Sequence, residues 1–207
     1  MNHITKIIIG NVTNLSDARY AAASGADYIS FCFDTFSPNY IPPVKAKEMI
    51  DWVSGIKIIA SFGNQSKEEI ETIVSLINID EIEVEKEFLR DDFSEIDIPI
   101  IKKINLHETD VTKVKNLLEM YKEKVNAFHL YTSSTFDKSI YENLLKELCL
   151  SVNIIWELDV NENNIASIIT DYKPYAIQLT GSDEEKTGYK DFEEMDKIVE
   201  KILAERV

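Results

Sequence analysis

Along the chain, short runs of apolar and β-branched residues alternate with stretches of helical period from one end to the other. The runs are Ile7–Gly10, Ala26–Phe33, Ile56–Phe62, Asp80–Glu85, Ile98–Ile104, Asn126–Tyr131, Val152–Leu158 and Tyr175–Thr180. Each is four to eight residues long and rich in Ile, Val, Phe or Tyr, as strands are. Between them lie helical signals. Asn14 or Ser16 opens a helix that stops at Gly25, and Ser66 followed by Glu69 spells a capping box. Asp110 starts another helix with Val111, Val114, Leu117 and Leu118, and 137–148, 161–171 and 191–204 supply three more. The stretch Phe88–Phe93 is short and weakly helical. Eight strands alternating with about eight helices, without an internal repeat or a linker, predict a single (β/α)8 TIM barrel spanning 1–207 with short loops. An open doubly wound sheet is the alternative that this pattern leaves.

Alternation within a strand sorts side chains into two faces, so polar residues mark the barrel lumen. That parity sends Ser30, Cys32 and Asp34 inward from the second run, and Glu81, Glu83 and Glu85 from the fourth. Lys102 follows from the fifth, His129 and Tyr131 from the sixth, Glu157 and Asp159 from the seventh, and Gln178 and Thr180 from the eighth. Barrel enzymes work at the C-terminal ends of their strands. Asp34, Glu85, Tyr131, Glu157, Asp159 and Thr180 are therefore expected around one mouth.

The charge changes what such a mouth can do. With 22 Lys and Arg against 37 Asp and Glu the net charge is −15. Such a surface repels phosphate backbones and anionic lipid, so neither nucleic acid nor a membrane is an expected partner. Six glycines in 207 residues is about half the usual share, and no G-x-G-x-x-G or G-K-[ST] loop exists to cradle a nucleotide. Cys32 and Cys149 stand far apart without a C-x-x-C pair, no run approaches membrane-spanning length, and MNHITKIIIG has no leader pattern. A reduced, cytoplasmic protein is the expectation. Nine acids between residues 80 and 97 face only Lys86 and Arg90, as a solvated face or a dock for a basic partner.

The first seventy residues and the last thirty resemble one family. VTNLSDARYAAASGADYISFCF, SPNYIPP and FGNQSKEEI are similar to the opening of the phosphoribosylanthranilate isomerases, a barrel family of tryptophan biosynthesis. Its pattern runs K-I-C-G-[LI]-T-N-x-x-D-A, G-A-D, S-x-R-Y-[IV]-S-P and F-V-N. At the other end QLTGSDEEKTGYKD lies on D-V-S-S-G-V-E-x-x-P-G-x-K-D, keeping Glu184, Gly188, Lys190 and Asp191. The resemblance implies the same barrel. It also implies a strand-one Cys that takes a proton from the sugar C2, and a strand-six Asp that protonates the ring oxygen.

Those groups are replaced here. The Cys position is Gly10, the Gly after it Asn11, and the Lys before it Ile8. The anion-holding Arg is Asn39, and the Q-L-H-G ending strand four is Glu83-Val84-Glu85-Lys86. The strand-six Asp is Tyr131, the glycine-rich loop after it is missing, and the G-G after strand seven is Leu158-Asp159. The expectation is thus an isomerase-like barrel without the family's Amadori reaction, binding a small molecule or acting in regulation. Asn39, Asp34, Glu85, Asp159 and Gln178 would contact the ligand, and Thr180, Gly181 and Ser182 would offer backbone N–H groups to a phosphate. One alternative is a working aldose–ketose isomerase with relocated groups, Tyr131 or Glu157 as acid and His129 or Cys32 as base. Another is a protein-binding module using the acidic face. A lone strand His is more often a hydrogen-bonded core residue, Cys32 fits as a small buried hydrophobe, and His107 reads as surface. Crowded carboxylates should raise one another's pKa, and could hold a divalent cation or a cationic small molecule. Otherwise Glu81–Glu85 face solvent or pair with Lys86, Lys102 and Lys103. No metal or cofactor is assigned, and the oligomeric state is left open.

Overall fold

All eight runs form parallel strands in the computed structural model, which describes residues 4–88, 93, 96–107, 109–132, 141–180 and 192–206. They are β1 (Lys6–Gly10), β2 (Tyr28–Cys32), β3 (Lys57–Phe62), β4 (Glu81–Val84), β5 (Ile100–Asn105), β6 (Ala127–Tyr131), β7 (Ile154–Glu157) and β8 (Ala176–Thr180). Each pairs with the next, and β8 returns to β1 over five register positions, closing the barrel. The open-sheet alternative is thereby excluded.

Seven helices are present among the described residues: α1 (Leu15–Ala23), α2 (Pro43–Ile50), α3 (Lys67–Leu76), α4 (Val111–Tyr121), α5 (Glu142–Ser151), α6 (Ile165–Tyr172) and α7 (Glu193–Ala204). The caps read from the chain hold α1, α3 and α4. Asn14 accepts the Asp17 N–H at 2.9 Å, Ser66 and Glu69 exchange both bonds of the capping box, and Asp110 accepts the Lys113 N–H. Gly25 ends α1 at φ +84°. The apolar period does not locate α2, which begins after Pro42 without a side-chain cap. Its signal is proline in the first turn, where a missing N–H costs nothing. Between β4 and β5 the described residues hold no α-helix, although Phe88 and Phe93 are both buried and stack edge to face.

Two layers form inside. Outward-facing Phe31, Phe62, Phe128 and Trp156 pack under the helices. Ile8, Tyr28, Ile59, Ile101, Ala127, Ile155 and Ala176 fill the lumen. The lumen set fixes the inward parity of every strand but β4, and one expectation fails against it. In β5, Ile101 faces in, so Lys103 is the inward lysine and Lys102 points to the helices. Lys102 pairs in register with the outward Val84 and Phe128. Adjacent lysines leave parity ambiguous in sequence; the packing of Ile101 decides it.

Candidate active site at the barrel mouth

At the C-terminal ends of the strands lies a cavity of about 310 Å³. Asp34, Asn39, Glu85, Tyr131, Glu157 and Thr180 all line it, with Cys32 at the end of β2. So do Lys103, Ser61, Asn11 and Ser37, none of which was expected at the mouth. Ser61 could have been found, because it stands on the inward parity of its run.

Beneath the cavity four ionisable side chains interlock. Glu83 is 1% exposed. One of its oxygens takes the Ser61 hydroxyl at 2.6 Å and the Lys103 ammonium at 3.2 Å. The other meets Nδ1 of His129. On the far side of the imidazole, Nε2 stands 3.1 Å from Glu157 Oε2, at ion-pair distance but off the line of a hydrogen bond. Glu157 in turn accepts the Thr180 hydroxyl at 2.7 Å. Sequential strands place these groups: β4 gives Glu83, β5 Lys103, β6 His129 and β7 Glu157.

The interleaving of signs reverses the expected titration. Burial alone would push the Glu83 and Glu157 carboxyls up. For Glu83 the Lys103 and His129 charges and the bond to His129 outweigh it, for Glu157 the facing His129 and the Lys103 charge do, and both carboxyls lie below their ordinary range. Burial likewise opposes charge on His129 and Lys103, yet Glu83 and Glu157 raise both. Two anions and two cations thus neutralise one another. Glu81 and Glu83 are buried, so they do not face solvent, and Glu83 pairs with Lys103 rather than Lys102. At the rim, Tyr131 donates its hydroxyl to Glu85 at 2.5 Å, and Lys103 lies 4.7 Å from the Tyr131 ring centre.

The remaining expected site residues separate. Asp34 accepts the Phe36 N–H at 3.1 Å and the Gln65 amide at 3.3 Å. It packs so close to Gly63 that a Cβ there would lie 2.0 Å from its carboxylate. Asp159 is exposed and does not line the cavity. Its φ of +43° takes it out of strand alternation, so the parity argument lapses. Gln178 is buried, off the cavity, and lies against Gly10, where a Cβ would come within 2.5 Å of its amide nitrogen. The side chain on β8 thus fills the space that a strand-one side chain would need. His129 is fully buried, with both ring nitrogens facing carboxylates, so it acts only through them. Gly181 and Ser182 lie outside the described residues. His107 is exposed.

Asn11 adopts φ +54° and Asp159 φ +43°, at two of the positions where the resembled family has glycine. Asn and Asp are the side chains that enter the left-handed region most readily, so the backbone course survives the substitutions. Among the described residues no trio of His, Cys, Asp or Glu is grouped as a metal would require, and no helix is long and apolar enough to cross a membrane.

Comparison with known proteins agrees along the whole chain. The N-(5'-phosphoribosyl)anthranilate (PRA) isomerase family description matches residues 8–201. The N-(5'-phosphoribosyl)anthranilate isomerase of Thermoanaerobacter sp. (strain X514) is 29% identical over 206 residues, covering 96% of this chain and 98% of its own. That of Pelodictyon phaeoclathratiforme is 29% identical over 201 residues, covering 91% and 93%. The crystal structure of phosphoribosyl anthranilate isomerase from Thermotoga maritima superposes with a TM-score of 0.81 at 22% identity, covering 97% of this chain and 100% of that one. A second structure, at TM-score 0.80 and 22% identity over 97% and 100%, is a phosphoribosyl anthranilate isomerase in complex with reduced 1-(o-carboxyphenylamino)-1-deoxyribulose 5-phosphate.

Proposed function

Because the chain belongs to the N-(5'-phosphoribosyl)anthranilate isomerase family, we propose that it isomerises an arylamino ribose phosphate from aldose to ketose form with a relocated acid and base. The observation that carries this is the interlocked quartet in which Glu83 and His129 are buried, while Lys103 and Glu157 are half-buried and open into the mouth cavity. Burying ions costs several kcal/mol each before pairing, and a barrel core packs as well with apolar residues. Perturbed ionisable groups gathered under a cavity are the mark of proton chemistry.

In this reading Glu157, kept ionised by His129 and Lys103, takes the proton from C2 of the sugar. Tyr131 stands at the family's acid position and is the register partner of Glu157. Its hydroxyl, resting on Glu85, gives a proton to the ring oxygen as the C1–O bond opens. A phenol is a weak acid at neutral pH, so turnover is slow. The acidic rim is milder than composition implies, because Glu157 is neutralised within the quartet and Asp159 turns away. Thr180 remains beside Glu157 at the start of the segment expected to receive the phosphate. Cytoplasmic residence fits a biosynthetic step of this kind.

A second reading, a barrel that binds such a ligand without turning it over, is favoured by Gln178 filling the place of the strand-one base. Purified protein supplied with phosphoribosylanthranilate separates the two. The first expects consumption above background, rescue of a tryptophan auxotroph lacking the enzyme, and a loss of about 10²–10⁴-fold in Glu157→Gln. Undiminished turnover in that variant would move the base to Cys32. Binding of the reduced product analogue without any turnover would establish the second reading.

A further inference from the structure

Lys102, turned away from the lumen, is 2% exposed and sits behind the site rather than in it. Its ammonium reaches four main-chain carbonyls: Glu85, Lys86 and Lys103, the last two at 3.2 Å each, and Val84 at 3.5 Å. The Tyr121 ring of α4 closes the other side at 5.6 Å. One of those carbonyls, Val84, ends β4, and two, Glu85 and Lys86, belong to the segment leaving it, which has no helix among the described residues to carry it. Tyr121 holds the next part of that segment, its hydroxyl bonding both the N–H and the carbonyl of Phe88 at 3.0 Å. The segment is therefore gripped from behind by one side chain of β5 and one of α4. Its front face carries Glu85, which receives the Tyr131 hydroxyl in the cavity.

We propose that Lys102 is a positioning residue for the mouth, an internal tethered cation that gathers the carbonyls of residues 84–86 and so sets the Glu85 carboxylate against Tyr131. An ammonium has three N–H donors and no acceptor, so a ring of carbonyls suits it as it would suit a free monovalent ammonium. An apolar side chain of equal length would fill the space but withdraw this donor from those acceptors. Burial pulls the Lys102 amine down to about 8 against the opposing charges of Glu85, Glu87 and Glu83. The proposal rests on the reading of Tyr131 and Glu85 as the acid pair, and goes beyond it in assigning what holds that pair.

The test compares wild type, Lys102→Ala and Lys102→Met by amide hydrogen exchange at residues 85–88 and by steady-state turnover. Both variants are expected to exchange faster at 85–88 than wild type, with the rest of the barrel unchanged. Added n-propylammonium should slow exchange again in Lys102→Ala, while tetramethylammonium, which has no N–H, should not. kcat should fall by about 10–100-fold with KM nearly unchanged, and recover with the same amine. Unchanged exchange in both variants, or equal rescue by tetramethylammonium, would overturn the proposal. If Lys102→Ala does not fold, Lys102→Met decides by its exchange pattern. Wild type without turnover would defeat the isomerase reading alone, since exchange and its rescue by amine need no catalysis.

Discussion

Gly10 and Gln178 show one side chain moving into the place of another across neighbouring strands. Nothing in the strand-one sequence says why a glycine is tolerated at the end of a buried β-strand. The answer lies on β8, whose Gln178 approaches within contact distance of any added Cβ. Gly10→Ala should therefore destabilise by about 1–3 kcal/mol, as overpacking does. Combining it with Gln178→Ala should recover much of that loss, which urea unfolding of the single and double variants measures. His129 makes a different demand. Glu83 and Glu157 titrate below the ordinary value of 4.5, so their contribution is present above that pH and fades as acid reaches their folded values. His129 titrates above the ordinary 6.5, so its contribution is full below that pH and is lost as pH rises through the folded value. The quartet thus stabilises most between about pH 4.5 and 6.5. Urea midpoints should fall above pH 6.5 in wild type, and His129→Gln should lack that alkaline decline.

At the level of the element, caps and alternation were legible because each is a local rule. Asn14, Ser66 and Asp110 announce α1, α3 and α4, and period-two alternation places Glu83, His129, Glu157 and Gln178 in the lumen. What was not legible depends on contacts far along the chain. Lys102 and Lys103 are chemically equal in sequence, and only the inward packing of Ile101 separates them. Asp159 follows its strand in sequence but leaves it in space, because a left-handed residue breaks alternation. The same conformation at Asn11 gives a test. Asn11→Gly should hold or slightly raise stability, whereas Asn11→Val should lose about 1–2 kcal/mol, since a β-branched residue resists positive φ. Thermal melts of the two variants check the ranking.

For the molecule as a whole, eight alternating runs left a barrel or an open sheet and the family resemblance favoured the barrel, while the electrostatic picture needed the structure. The formal charge of −15 is a property of the surface. The mouth is closer to neutral, because Lys103 and His129 stand among its carboxylates. A phosphate-bearing substrate must still cross the outer field to reach it. Raising ionic strength from about 0.01 to 0.15 M shortens the screening length from roughly 30 to 8 Å. KM for such a substrate should therefore fall with added salt while kcat changes little, a trend that steady-state assays at several NaCl concentrations would detect. Barrel closure carries its own consequence for biogenesis. The pairs that join β1 to β8 lie 170 residues apart along the chain. At ribosomal speeds of about 5–20 residues per second, β1 emerges roughly 10–30 s before its last neighbour exists. During that interval one edge of the nascent sheet is open to pairing with other chains, so the growing polypeptide most needs a chaperone while it is seven-eighths of a barrel.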